Sequence, residues 1–379
     1  MTTLLKNARI VSPLVDITKG HVLIDNGRII QVTAGNDLPA ADETFDLAGK
    51  ILVPGFIDMH FHGGMGYETT SDKPEAVRVI CEAKLREGVT SLCPTTLTLS
   101  EEMLANSLRN IEKYRLNPTG SKVLGTHLEG PYINPQCVGA QNPAYLRSPD
   151  IEEIKRLNAI SPVSIVTYAI ELEGSLEFTR QLRALGIVPS CGHTKATYEQ
   201  FIAGFPCGME RVTHFCNVTT PLHHRKFGVV GAGFLHDNVA VEVICDKIHL
   251  CPEMIKMVFK FKTRDKILMI TDAMEAAGLP DGNFQLGGLP VIVKDGVARL
   301  TSDGTIAGST LQYDKGLRNV LEVTGLTLPE VIQATSWNQA RNLGLTDLGK
   351  IEPGFLADLT VLDSDLLVAS VFCDGIRKF

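Results

Sequence analysis

Two histidines one residue apart close the apolar run "PGFIDMHFHGG": His60 and His62. In an extended chain, positions i and i+2 share a face, so both imidazoles project side by side where a strand ends. Other groups of the same chemistry stand at the ends of later apolar runs: Glu129 in "THLEGP", His193 in "CGHT", His214 in "THFCN", Asp246 near His249 in "CDKIHL", and Asp272 in "MITDA". Imidazole and carboxylate together suit Zn2+ or Fe2+, and a catalytic site leaves one coordination position for water. Taken alone, a histidine at a strand end is ordinary; the joint placement of His60, His62, Glu129, His193, His214 and Asp272 makes a metal site the expectation. Asp272 has a second use open to it, capping the next helix. Its chemical use would be to take a proton from an attacking water and hand it to a leaving amine. His127, two residues before Glu129, faces the same way and reads as a supporting or core residue. Cys191 and Cys216 read as small core packing, His21 and His236 as incidental, and His223 and His224 carry no assignment.

Such groups need a scaffold that gathers strand ends. Eight short apolar runs recur: "GFIDMH", "VTSLCPT", "KVLGTHLE", "SIVTYAIE", "GIVPSCGH", "RVTHFCN", "VAVEVICD" and "KILMITDA". Helical patterns follow most of them, as in "SDKPEAVRVICEAKLREG" and "LEFTRQLRALG"; the stretch after the sixth is irregular. Alternating strand and helix units predict an α/β fold, a (β/α)8 TIM barrel, with a doubly wound sheet as the lesser option. Catalytic groups then gather on the rim where the strands end. The two chain ends differ: period-two patterns with Asn26-Gly27 and Asp374-Gly375 turns predict strands and hairpins. They are expected to join in one small β-sandwich-like domain, residues 1–53 with 346–379, flanking a barrel of residues 54–345. "VIVKDGVARL" predicts a hairpin inserted after the eighth strand.

The formal net charge of -7, without a basic run, argues against nucleic acid and anionic membrane as partners. Nine scattered cysteines with no C-x-x-C suggest neither a disulfide framework nor a thiolate zinc site, and favour a reducing cytoplasm. No apolar run approaches 18 residues, and the opening "MTTLLKNARIVSP" does not read as an export signal.

Together, "PGFIDMHFHGG", "THLEGPYINP", "CGHTKAT", "THFCN", "CDKIHL", "MITDA" and "IEPGFLADLTVL" resemble the amidohydrolase superfamily, in particular its branch acting on N-acetylated amino-sugar 6-phosphates. The resemblance implies a divalent-metal deacetylase for which N-acetylglucosamine 6-phosphate is the first-choice substrate and the galacto epimer the nearest rival. It implies that Glu129, His193 and His214 hold one ion, that His60 and His62 hold a second, and that Asp272 is the general base and acid. Zinc is the first expectation; iron, manganese and cobalt suit the same ligands. The resemblance also places Asn217, Val218 and His249 against the sugar phosphate. It has Arg225 reach the phosphate in a neighbouring subunit of a homodimer, a task suited to a guanidinium fork. One departure stands out: in "VGAQ", Gln141 replaces a histidine that the family keeps near the scissile acetamide. Gln141 offers a hydrogen bond but no positive charge, so it marks either more polarisation by metal or a changed substrate. Hydrolysis of a cyclic amide or an N-acylated amino acid is a further reading, and a barrel that has lost catalysis a third, which should have shed ligands.

Overall fold

The computed structural model describes residues 2–379. Its centre is parallel sheet. Strands Phe56–Phe61, Val89–Pro94 and Lys122–Val123 form one ladder; Thr126–Glu129, Val163–Tyr168, Val188–Cys191, Arg211–Val212, Ala240–Ile244 and Ile267–Ile270 form a second. Backbone contacts join the two at both edges. Thr95 bridges His127 in parallel, and the Asp272 N–H donates to the His60 carbonyl at 2.9 Å. All eight apolar runs therefore contribute parallel strand, curling round one axis.

Two runs are interrupted. The third breaks at Leu124 and Gly125, where φ is 149° and any side chain would run into Ser164. The sixth keeps only Arg211 and Val212 as strand, because the chain turns sharply from His214 onward. Amphipathic helices cover the outside. Ser100, for example, caps Glu101–Arg115 by accepting the Met103 N–H, and that helix buries Leu104, Leu108 and Ile111 against the sheet.

The chain ends meet in one mixed sheet, in the order Ile376–Arg377, Val368–Cys373, Leu359–Leu362, Ile51–Pro54, Thr2–Ser12, Val15–Asp25, Arg28–Ala34, with Glu43–Asp46 beside Thr2–Ser12. Asn26 and Gly27 both have positive φ, 47° and 76°, as do Asp374 and Gly375, 49° and 74°, which is what two-residue type I′ hairpins require. This sheet has its own apolar cluster, with Leu5, Ile10, Val22, Leu52, Leu359 and Phe372 buried. Leu359→Ala is expected to cost about 2–5 kcal/mol as a buried truncation, read as a lowered urea midpoint. The inserted hairpin has a third strand: Gly282–Leu286, Leu289–Lys294 and Val297–Leu300 pair in antiparallel order. Among the described residues, no helix is long and apolar enough to cross a membrane.

Candidate metal centre

The strand ends converge. The Glu129 Oε1 atom lies 3.1 Å from His214 Nε2 and 3.4 Å from both His193 Nε2 and His60 Nε2. Its partner oxygen Oε2 lies 3.2 Å from His62 Nε2, and Asp272 Oδ1 sits 3.3 Å from the same nitrogen and 3.6 Å from His60 Nε2. All six predicted ligands are buried. Three of them, His193, His214 and Asp272, have φ of 48°, 30° and 51°. Left-handed backbone costs such residues about 1–3 kcal/mol each, so the surrounding structure holds these side chains in place against local preference.

The hydrogen bonds decide which ring nitrogens carry protons. His193 Nδ1 donates to the Cys137 carbonyl at 2.9 Å, and His214 Nδ1 to the Asn217 carbonyl at 3.1 Å. Carbonyls only accept, so each Nε2 is left with a bare lone pair. Those two nitrogens face each other at 3.1 Å, with Glu129 Oε1, itself lacking a hydrogen-bond partner, beside them. Three acceptors converge with no hydrogen between them, an arrangement that only a cation or an added proton relieves. Ligand bonds of about 2.0–2.1 Å in a tetrahedron give edges of about 3.3 Å, the spacing found here. The donors therefore fit a divalent transition metal. A second group, His60, His62 and Glu129, converges beside the first.

The field in the cluster is negative. Burial opposes charge on His60, yet Glu129, Glu242 and Asp272 hold its pKa well above the ordinary value; the balance of burial against Asp272 and Glu129 leaves His62 at about 9. Burial alone would raise the carboxyls, but His60 with the other histidines keeps Glu129 far below, and Asp272 below, the usual carboxylate range. His127 is different: burial, then the charge on His60, push it down to about 3. Both its ring nitrogens are engaged, one donating to the Met59 carbonyl and the other accepting from Thr167, so it is no ligand.

A small pocket of about 220 Å³ opens onto the cluster. His62, Glu129, Gln141, His193, His214, Asn217, Val218, His249 and Asp272 line it, with Leu286 and Ile306 from the inserted hairpin region as an apolar wall. His249 is anchored by its Nδ1, which donates to Asp246 at 2.6 Å; burial opposes its charge but Asp246 raises its pKa. Gln141 and Arg225 stand apart from the other expected substrate contacts. Gln141 lines the pocket and is tied down within it: its carbonyl oxygen accepts the Thr98 N–H at 2.6 Å and one of its two amide hydrogens goes to Glu129 Oε2, so it orients the carboxylate and keeps one N–H for a ligand. Arg225 lies outside this pocket, exposed, with its guanidinium against His224. Sequence reasoning passed over Glu242 and Arg211, a buried ion pair beneath His60. The signal was present: a lone carboxylate inside the apolar run "VAVEVICD".

A sequence model of the amidohydrolase family matches residues 51–377, and the chain belongs to that family. Within it, the chain is 34% identical over 371 residues to the N-acetylglucosamine-6-phosphate deacetylase of Lysinibacillus sphaericus, covering 97% of this chain and 95% of that one. It is 38% identical over 330 residues to the N-acetylgalactosamine-6-phosphate deacetylase of Escherichia coli O157:H7, covering 86% and 87%. Its fold superposes with a TM-score of 0.92 on a variant N-acetyl-D-glucosamine-6-phosphate deacetylase from Mycobacterium smegmatis in complex with N-acetyl-D-glucosamine-6-phosphate, at 31% identity over 100% of this chain and 99% of that one.

Proposed function

We propose that this chain is a metal-dependent deacetylase that hydrolyses N-acetylglucosamine 6-phosphate to glucosamine 6-phosphate and acetate, a step of amino-sugar breakdown. The observation that carries the reading is the convergence of bare imidazole nitrogens on Glu129 Oε1 beside an ionised Asp272, inside a pocket. The relatives' activities support the substrate class. In this reading Glu129, His193 and His214 hold one ion, and His60 and His62, with Asp272 beside them, hold a second. Zinc is the first choice, with iron, manganese or cobalt suited to the same donors. When bound, the ion supplies Lewis acidity toward the acetamide carbonyl and acidifies water. Asp272 accepts the proton of the attacking water, then returns it to the amine nitrogen as the C–N bond breaks. His249, held by Asp246, together with Asn217 and the Val218 backbone, receives the sugar phosphate, and Gln141 keeps Glu129 in register.

The scaffold is read as a closed (β/α)8 barrel of residues 54–345 with a sandwich-like domain from 1–53 and 346–379. All nine cysteines are free, which fits a cytoplasmic enzyme. Arg225, outside its own pocket, suits a homodimer in which it reaches the neighbour's phosphate. Arg225→Ala should then raise KM for the phosphorylated sugar with little change in kcat, and an unchanged KM would detach this loop from substrate.

The galacto epimer is the second reading, favoured by Gln141 and by the 38% identity to a deacetylase of that sugar. Acetate release from the gluco phosphate, the galacto phosphate and unphosphorylated N-acetylglucosamine, assayed in parallel, separates the two. Fastest turnover of the gluco phosphate is expected. Preference for the galacto phosphate would reassign the substrate, and turnover indifferent to phosphate would move the enzyme elsewhere in the family.

A further inference from the structure

We propose that Glu242, held by Arg211, is a positioning residue for the metal centre, which fixes His60 as the Nδ1–H form and aims both His60 and His214 through Nε2. The proposal rests on the metal reading above. Glu242 lies on strand Ala240–Ile244, fully buried, and its two oxygens divide the work. Oε2 faces His60 Nδ1 at 2.9 Å and also accepts the backbone N–H of His214 at 3.1 Å. One carboxylate oxygen thus ties the first parallel strand to the turn after the sixth, and it meets a predicted ligand on each.

An ionised carboxylate accepts only, so the nitrogen facing it must carry hydrogen. His60 Nε2 is then the nitrogen left for an ion, losing any proton when one binds, and it is the one turned toward Glu129, His62 and Asp272. A carboxylate behind a ligand imidazole also raises its basicity and locks its ring. His127 cannot take over, since both its nitrogens are engaged by Met59 and Thr167.

Arg211 makes the carboxylate tenable in the core. Its Nη2 bonds Glu242 Oε1 and its Nη1 donates to Asn342 Oδ1 at 2.6 Å, so the guanidinium is fixed from the helix Trp337–Asn342 as well. Opposite charge and a second anchor keep Glu242 in one rotamer and leave Oε2 for the histidines. Removing Arg211 alone would strand a buried charge. The informative variants are therefore Glu242→Gln and the double variant Glu242→Gln/Arg211→Met, which removes both charges.

The test is Zn2+ affinity of the full chain by competition with a chromophoric chelator, measured beside the melting temperature of each metal-free variant. Glu242→Gln is expected to weaken zinc about 10- to 100-fold, the usual effect of losing a partner behind a metal-bound histidine. The double variant is expected to melt near wild type while keeping the weakened affinity. Unchanged affinity in Glu242→Gln overturns the proposal. So does a double variant that regains affinity together with melting temperature, since the pair would then serve the fold alone. In the wild-type zinc-loaded chain, 15N-histidine spectra must show His60 protonated at Nδ1 and bound through Nε2; binding through Nδ1 overturns the proposal without any variant. A wild-type chain that binds no zinc would remove the metal reading and this proposal together. One that binds zinc but releases no acetate would remove the substrate reading only.

Discussion

Asp272→Asn is expected to lose about 100- to 10,000-fold in turnover, the range for a displaced general acid–base group, while its metal content stays that of wild type. The carboxylate lies 3.3 Å from His62 Nε2 and lines the pocket, where the proposed mechanism has it serve an attacking water and then a leaving nitrogen. Asparagine keeps the shape and a carbonyl oxygen but accepts no proton. The group Glu129, His193 and His214 converges without Asp272, so an ion held there does not depend on it. His60 and His62 outweigh burial and hold the Asp272 carboxyl below the usual carboxylate range. It is therefore ionised at neutral pH, and kcat/KM should fall only in the acid range as the carboxylate gains its proton. The variant should lack that acid limb. Paired measurement of kcat and bound metal decides the matter: turnover near wild type would take Asp272 out of the mechanism, and lost metal would make it a ligand first.

Glu129→Gln is expected to strip the centre. Its Oε1 is the atom on which His60, His193 and His214 converge, and neutralising it removes the negative charge that makes three buried nitrogens favour a cation. The loss of affinity should exceed the about 10- to 100-fold that follows loss of an orienting partner, and deacetylation should fall with the bound metal. The amide donated by Gln141 would lose its ionic acceptor at the same time. Stoichiometric metal in the purified variant, by elemental analysis, would show that the histidines alone suffice.

What the sequence made legible follows from where the physics is local. Period-two patterns and Asn-Gly or Asp-Gly turns fix hairpins through φ alone, and both terminal hairpins formed as expected. Apolar runs ending in His, Glu or Asp marked the strand ends, and the six predicted ligands meet. Contacts between distant positions left weaker traces. Gln141 as a clamp on Glu129 depends on the Thr98 backbone, 43 positions away. Glu242 reaches His60 across 182 positions, and nothing local tells a carboxylate beneath a histidine from one facing solvent. The sixth strand shrank to two residues because His214 takes a left-handed φ, a demand of the site that its residue type does not announce.

Deacetylation by this chain should depend on a divalent ion held among Glu129 and the convergent histidines. Titrating the chelator-stripped chain with Zn2+, while following bound metal and acetate released from N-acetylglucosamine 6-phosphate, tests it most directly. Acetate release should begin near zero, rise in proportion to bound ion and level off once the centre is filled. Release at the full rate from the stripped chain, or none at any occupancy, would contradict it.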